Sequence, residues 1–360
     1  MSATRLNSVR KHLREQNLDG LLVINRNQVR YLTGFHGHDD MDGLLVVAGP
    51  KAVLLTDSRY TDEAMKTVTG AKVEVVRGSK IAALKEHAEY GGKNLRFGYH
   101  PGTMTHAIAD QLRKTLPDCL LVPADSAFAE LGWVKDSSEL ASIQKAVDIS
   151  DLAFERILGL VTPGIREREL CAELEYQMMM LGSERAAFET IIASGYRSAM
   201  PHGLASAKKI QKGDFVTLDF GATVDGYVSD ITRTVVVGKA SSRQKKVYNT
   251  VLKAQLTAIR KIRSGGSGKA VDKAARDIIK RAGYGKNFGH GTGHGISIEV
   301  HSGPRLSPLA DDKLKAGNVV TVEPGIYISG WGGVRIEDDV LVTRTGAKVL
   351  NRAPKNLLEL

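Results

Sequence analysis

The spacing of apolar residues in the first third of the chain alternates between helical and extended patterns. Leu6, Val9 and Leu13 recur at helical spacing, which predicts a helix over residues 5–16. Similar patterns predict strands at 18–24, 72–76 and 95–100, two strands within 42–57 that are joined at Gly49-Pro50, and helices at 80–89 and 104–116. Strands mixed with helices over about 130 residues indicate an α/β domain.

The remainder of the chain begins with two long helical patterns and then becomes rich in strands. Helical spacing covers 137–160 and 166–181, and residues 133–138 contain good N-cap residues before Glu139. Strand patterns follow at 188–195, 215–238, 319–329 and 333–346, with two helical stretches, 242–263 and 268–281, between them. We therefore predict two domains, residues 1–130 and 131–360.

Composition limits the class of protein. With 360 residues, 42% hydrophobic and 25% charged, the chain has the composition of a globular protein and enough length for two domains. Its cysteines, Cys119 and Cys171, lie outside any CxxC pattern, which favours a reducing compartment. No secretory signal and no apolar run of the ~18–20 residues that span a bilayer is visible, so we expect a cytoplasmic protein without a membrane partner.

The net charge of +10 is concentrated in residues 239–286, which hold 14 Lys and Arg against two acids. The spacing favours amphipathic helices with solvated basic faces. A nucleic-acid or anionic-membrane surface is the alternative. Because Tyr248 and Tyr284 are the only aromatic residues in this segment, stacking on bases is poorly supported. We expect no nucleic-acid partner.

Acidic residues inside apolar strands are the first indication of chemistry. Asp219 lies in VTLDFG and Asp230 in GYVSDITRT, and a turn at 224–226 would join the two strands as a hairpin. Glu323 lies in VVTVEPGIYI and Glu337 in GVRIEDDVLV, again among apolar residues. Each acid alone is explained by an exposed or paired position. Together, such buried carboxylates favour a site where cations neutralise them.

Histidines follow a similar pattern in the segment FGHGTGHGISIEVHSGP. It contains His290, His294 and His301, and His202 lies in a loop upstream. The neighbouring glycines would let the backbone approach a ligand closely, although a hydrogen-bonded flexible loop is the simpler alternative. Carboxylates with one imidazole suit two divalent cations, Mn²⁺ or Co²⁺ first, with Fe²⁺ or Zn²⁺ as alternatives. Such a pair of ions can activate water and polarise a carbonyl group.

The motifs LDFG, SDITRT, GHGTGHGI, EVHSGP, TVEPGIY and RIEDDV together resemble those of the pita-bread metallopeptidases. The first 130 residues resemble the creatinase-type N-terminal domain of the Xaa-Pro branch, which methionine aminopeptidases lack. The resemblance therefore implies an α/β creatinase-like domain at 1–130, followed by an α+β pita-bread catalytic domain at 131–360.

The resemblance also implies roles for individual residues. For the metal ions it implies Asp219 as a ligand of one ion, Asp230 and Glu337 as bridging ligands, and His294 and Glu323 as ligands of the other ion. For the substrate it implies Glu323 as a proton relay, His202, His290 and His301 as active-site histidines, Tyr327 as a lining residue, and Arg335 as a residue that orients the ligands. Arg305 is a candidate to bind the C-terminal carboxylate of a dipeptide, and a surface arginine is the alternative.

These roles imply hydrolysis of the bond before proline, so proline-containing peptides are the expected partners. The sequence favours an Xaa-Pro aminopeptidase, with an Xaa-Pro dipeptidase (prolidase) as the alternative. Metal-free, creatinase-like hydrolysis would require loss of the carboxylate ligands, and all of them are present. A non-enzymatic pita-bread binding protein is a further hypothesis, to which the basic segment lends slight support. Family dimers imply a homodimer.

Overall fold

One mixed β-sheet forms the centre of the first part of the chain. In the computed structural model, which describes residues 2–86, 94–125, 128 and 131–360, the chain divides into two units, Met1–Leu131 and Gly132–Leu360. The strands of the first unit are β1 Gly20–Val23, β2 Leu44–Ala48, β3 Lys51–Thr56, β4 Lys72–Val75, β5 Arg96–Tyr99 and β6 Leu120–Pro123. In the described residues their order is β4-β3-β2-β1-β5-β6. The β1–β2 and β2–β3 pairs are antiparallel and the others are parallel.

Helices cover both faces of this sheet. They are α1 Ser2–Glu15, α2 Arg26–Thr33, α3 Thr61–Thr67, α4 Lys80–Ala83 and α5 His106–Thr115. Because alternate strand residues point to opposite faces, Leu21 packs in the cluster that includes Leu6 of α1, whereas Leu22 packs in the cluster that includes Leu112 of α5. The unit is thus an α/β sandwich with apolar layers on both sides of the sheet.

Most of the elements expected in this unit are confirmed, including the β2–β3 hairpin, in which Gly49 has a φ of +51°. The helix expected at 80–89 is shorter than predicted. It begins after Ser79, whose side chain accepts a hydrogen bond from the Ala82 N–H. The α-helix ends at Ala83 and continues as a 3-10 turn, Leu84–Glu86. Residues 87–89 lie outside the described residues.

The second unit is built from antiparallel strands. They are β7 Ile191–Ser194, β8 Phe215–Phe220, β9 Thr223–Val224, β10 Tyr227–Val228, β11 Ile231–Val236, β12 Gly293–Gly295, β13 Ser302–Leu306, β14 Val319–Val322, β15 Gly325–Ile328, β16 Gly332–Arg335, β17 Asp338–Val342 and β18 Ala347–Val349. In the described residues they form the sheets β11-β8-β7 and β13-β12-β14-β17-β18 and the ribbons β9–β10 and β15–β16. The expected hairpin turn at 224–226 is confirmed, with Asp225 at a φ of 51°.

Two pairs of helices pack on the outer sides of these sheets. They are α6 Ser137–Ile157, α7 Glu167–Met180, α8 Ser242–Ile259 and α9 Gly268–Arg281. Phe154 of α6 and Leu170 of α7 pack in one cluster with Leu218 of β8. Val251 of α8 packs in another cluster with Val320 of β14. The strands therefore lie between two helical layers, and their polar side chains can face an interior site.

The basic segment forms the two expected amphipathic helices. On α8 and α9 the apolar side chains are buried, whereas Lys246, Lys253 and Lys269 are exposed to solvent.

Across the described ranges, no helix has both the length and the apolar character required to cross a bilayer.

Candidate active site

Strand pairing brings acidic residues to one side of the second unit. Asp219 of β8 lies opposite Thr232 of β11. Glu337, immediately before β17, donates its backbone N–H to the Thr232 carbonyl at 3.1 Å. Asp230, immediately before β11, donates its backbone N–H to the Asp339 carboxylate at 2.9 Å. These bonds hold the backbones of three acidic residues side by side.

A histidine and a fourth acid complete the cluster. Single ligand atoms of Asp230, His294 and Glu337 all lie within 4.8 Å of one another. His294 Nε2, on β12, lies 3.7 Å from Asp230 Oδ2 and 3.5 Å from Glu323 Oε1. Glu323 directly follows β14. Residues from well-separated parts of the sequence therefore meet at one place.

Asp219 joins this cluster through Arg335, which is only 4% exposed. The guanidinium donates to Asp219 Oδ2 at 2.5 Å, to Thr232 Oγ1 at 2.9 Å and to the Tyr327 hydroxyl at 2.9 Å. Thr232 Oγ1 in turn donates to Glu337 Oε2 at 2.6 Å. A buried cation thus orients two of the acids. Its donors are engaged by protein groups, which fits the orienting role that the resemblance implies.

The buried acids destabilise one another as anions. Burial raises the pKa of Asp230 and of Glu337 well above their usual values, and the neighbouring carboxylates raise them further. Burial raises the pKa of Glu323 to about 7, and Arg335 opposes this shift. Such a cluster becomes neutral either by binding protons or by binding cations.

The histidines favour binding of a cation. Burial lowers the pKa of His290 and of His294 to about 4, so both imidazoles are neutral at physiological pH. A neutral imidazole beside several carboxylates is a donor set for first-row divalent ions. The side chains present therefore fit the two-ion site that the sequence predicts, with Asp219, Asp230, His294, Glu323 and Glu337 as the candidate ligands.

A cavity of about 720 Å³ opens over this cluster. The predicted residues that line it are Asp219, Asp230, His202, His290, His294, His301, Glu323, Tyr327, Arg335 and Glu337. The His290 Nε2 atom lies 2.9 Å from the Tyr327 hydroxyl, and the His301 ring centroid lies 4.4 Å from that of His294. All the sequence-predicted site residues except one therefore share a single cavity.

The exception is Arg305. Its backbone N–H donates to Asp312 Oδ2 at 3.0 Å, and its side chain is exposed. Among the described residues, the cavity lining does not include Arg305. Its positive charge nevertheless lowers the pKa of His294 and of His301, after the larger effects of burial and of other charges. The charge of Arg305 therefore acts on two cavity histidines although its side chain lies outside the described lining.

Two glycines of the His-rich segment allow close packing of neighbouring strands. A Cβ atom at Gly293 would lie 2.0 Å from the Thr321 carbonyl oxygen, and one at Gly295 would lie 1.9 Å from the Gly303 carbonyl oxygen. These positions allow neighbouring strands to approach each other closely, which places His294 between them. At Gly289 a Cβ would meet no atom within 4 Å. Close packing of neighbouring strands accounts for Gly293 and Gly295, and Gly293 also lines the cavity, so approach of the backbone to a ligand stays a prediction.

Sequence reasoning missed one supporting acid. Successive strand residues point to opposite faces, so the acids of RIEDDV have different partners. Asp338 pairs with Arg233 at 2.8 Å and with Lys355 at 2.7 Å, whereas Asp339 accepts the Asp230 N–H. The sequence contains a signal for this supporting role, because alternation along the strand places Asp339 on the same face as Glu337.

Comparison with known proteins gives matches over nearly the whole chain. Residues 141–344 match metallopeptidase family M24, and residues 5–131 match the creatinase/prolidase N-terminal domain. The Xaa-Pro dipeptidase of Pyrococcus furiosus is 38% identical, over 98% of this chain and 99% of that protein. An Xaa-Pro dipeptidase structure from Bacillus anthracis has a TM-score of 0.95 and 40% identity, with 100% of both chains covered. An X-Pro aminopeptidase structure from Thermotoga maritima has a TM-score of 0.91 and 35% identity, with 99% of both chains covered.

Strands between two helical layers and a buried cluster of carboxylates and histidine define the chain as a pita-bread metallopeptidase. More particularly, it belongs to metallopeptidase family M24 and has a creatinase/prolidase N-terminal domain. The family and the fold class predicted from the sequence are confirmed.

Proposed function

We propose that this protein is a dinuclear metallopeptidase that hydrolyses the bond between a first residue and proline. The observation that carries the proposal is the convergence of Asp230, His294 and Glu337 within 4.8 Å of one another, next to Glu323 and Asp219. The proposal is supported by relatives named Xaa-Pro dipeptidase that match over almost their entire length.

The five candidate ligands are assigned to two divalent ions, Mn²⁺ or Co²⁺ first, with Fe²⁺ or Zn²⁺ as alternatives. When bound, such ions supply Lewis-acid polarisation of the substrate carbonyl and lower the pKa of the attacking water. Arg335 and Thr232 hold two of the ligating carboxylates in place through the hydrogen bonds described above.

Side chains that line the cavity are assigned the proton transfer and the stabilisation of negative charge. Burial raises the pKa of Glu323 to about 7, so this carboxylate suits a group that accepts a proton from water and returns it near neutral pH. The proton is needed by the departing proline nitrogen, which has no hydrogen of its own in the peptide. His202 and His301 line the same cavity and are assigned to hold the carbonyl oxygen as it gains negative charge.

Within this proposal the substrate is either an Xaa-Pro dipeptide or a longer peptide that begins with Xaa-Pro. Sequence reasoning favoured the aminopeptidase, whereas relatives with the name Xaa-Pro dipeptidase at 37–38% identity favour dipeptides. We assign the Arg305 guanidinium, whose charge acts on His294 and His301, to the carboxylate of a dipeptide. We therefore propose a dipeptidase first and an aminopeptidase second.

Metal-loaded protein is expected to release proline from Met-Pro faster than it releases Pro-Gly from Met-Pro-Gly. Because a charge-assisted bond to the carboxylate contributes roughly 1.5–3 kcal/mol, Arg305→Met should raise KM for Met-Pro by about 10-fold and leave Met-Pro-Gly unaffected. Chromatography of the products measures both rates, with Met-Ala as the control substrate. Faster cleavage of the tripeptide would favour the aminopeptidase, and inertness towards both proline peptides would overturn the proposed function.

Asp339→Ala is expected to weaken metal binding by roughly 10–100-fold, because residues that support metal ligands have effects of this size. The variant loses the acceptor for the Asp230 N–H, so the backbone of a ligand is no longer fixed. Isothermal titration with Mn²⁺ measures the change. Asp339→Asn keeps an acceptor oxygen and should show a smaller loss, which separates loss of support from misfolding. Unchanged affinity in both folded variants would contradict a supporting role for Asp339.

Two wider features complete the proposal. We assign the functional division of the chain to 1–130 and 131–360, which is supported by the units Met1–Leu131 and Gly132–Leu360.

We also propose a homodimer, as the resemblance implies. In support of it, α7 exposes large apolar side chains, with Tyr176, Met179 and Met180 at 53%, 61% and 63% exposure.

A further inference from the structure

One carboxylate in the cavity lies outside the candidate metal cluster. Glu189, just before β7, lines the cavity and is exposed to solvent. In the ranges that the structure describes, no lysine, arginine or histidine lies within ion-pair distance of its carboxylate. This distinguishes it from Asp219, which is paired with Arg335.

Among the acids of the cavity, Glu189 is set apart by its position outside the ligand set. The other acids that line the cavity are Asp219, Asp230, Glu323 and Glu337. Two divalent ions would bring four positive charges to these four acids, and Arg335, which also lines the cavity, is paired with Asp219. Glu189 belongs to no ligand group, so its charge persists when the ions are bound.

The surroundings of Glu189 suit a long side chain with a cationic end. Phe188, Ile191 and Leu204 line the cavity beside it and offer apolar surface for a methylene chain. An apolar wall with negative charge at its edge is complementary to lysine or arginine.

We propose that Glu189 is a specificity-determining residue that makes this peptidase prefer lysine or arginine as the residue before proline. In a dipeptide of the form Xaa-Pro the first residue has the only variable side chain, so a basic group that meets Glu189 belongs to that residue. The inference rests on the proposed function, since it concerns the substrates of the same site.

The test compares Lys-Pro with Met-Pro, whose side chain has similar length and no charge. Wild-type protein is expected to show about 5-fold higher kcat/KM for Lys-Pro at low salt, the effect of a solvent-accessible ion pair of roughly 1 kcal/mol. Glu189→Gln should remove this preference by raising KM for Lys-Pro, with Met-Pro unchanged. The preference of the wild type should also decrease as salt is added.

Glu175→Gln is the matched control, because Glu175 is a carboxylate outside the described lining of the cavity, with its Oε1 atom 3.9 Å from the Cys171 Sγ atom. It should retain the preference for Lys-Pro. An equal loss for both substrates in Glu189→Gln would show that Glu189 acts on a group that all substrates share, and would overturn the inference. Equal kcat/KM of the wild type for both substrates would also overturn it.

A separate measurement distinguishes failure of this inference from failure of the proposed function. Should the wild type hydrolyse neither dipeptide, the proposed function fails, and calorimetric titration of metal-loaded protein with Lys-Pro and Met-Pro decides the inference alone. Tighter binding of Lys-Pro that Glu189→Gln abolishes would support the role of Glu189. Equal affinities would overturn it.

Discussion

Asp230→Asn is expected to lower the turnover of an Xaa-Pro dipeptide by ~10³-fold or more and to reduce the bound metal to less than two ions per chain. Asp230 lies within 4.8 Å of ligand atoms of both His294 and Glu337, and the proposed function assigns it as a ligand that two ions would share. The amide keeps the shape of the carboxylate but removes one negative charge. The remaining acids then balance two divalent ions incompletely.

The variant should still fold, because the bond from the Asp230 N–H to Asp339 uses the backbone and survives the substitution. Metal analysis after gel filtration gives the stoichiometry, and a proline-release assay gives turnover. Asp277→Asn is the control, since Asp277 pairs with Lys273 on the surface of α9 and should behave as wild type. Turnover of Asp230→Asn within about 10-fold of the wild type would contradict the shared-ligand assignment.

The sequence could predict that the acidic site residues lie together, because they occur in strands with a clear pattern of apolar residues. Asp219 and Asp230 are flanked by apolar residues, and the turn at 224–226 specifies how their strands pair. Such local signals place acids on buried faces without any knowledge of the tertiary structure. The separation between these strands and the segment that holds His294 is too long for local rules, and the family motifs supplied that connection.

Other features depend on contacts that no local pattern encodes. The close approach of Gly293 and Gly295 to neighbouring strands follows from the pairing of β12 with β13 and β14. Glu189 precedes an ordinary apolar strand, and only the folded structure shows that this residue lines the cavity. Likewise, Arg305 follows a site motif in the sequence but lies outside the described cavity lining.

Removal of the metal ions is expected to destabilise the protein, and more strongly at pH 8 than at pH 5.5. In the metal-free fold, burial raises the pKa of Glu323 to about 7, and raises those of Asp230 and Glu337. These acids therefore bind protons when the metal-free chain folds. The contribution of Glu323 to stability is complete below its unfolded pKa of about 4.5 and is lost as the pH rises through about 7.

The two buried histidines make the opposite contribution to the pH dependence of folding stability. Burial lowers the pKa of His290 and His294 to about 4, so their contribution is present above the unfolded pKa of about 6.5 and is lost as the pH falls through about 4. Between pH 5.5 and 8 both imidazoles are neutral in the fold. The change in metal-dependent stability over this range therefore comes mainly from the carboxylates, which must release their protons before they bind ions.

Thermal unfolding of metal-loaded and chelator-stripped protein measures the effect at each pH. Ligand at about 1,000 times its Kd stabilises a fold by roughly 4 kcal/mol, which corresponds to ~10 °C in Tm for a domain of this size. We expect a difference of this order at pH 8 and of only a few degrees at pH 5.5. Asp230→Asn, with fewer ions to lose, should show a smaller difference at pH 8. A difference in Tm that is independent of pH would mean that metal binding displaces no protons from these acids, and the carboxylate cluster would then not be the metal site.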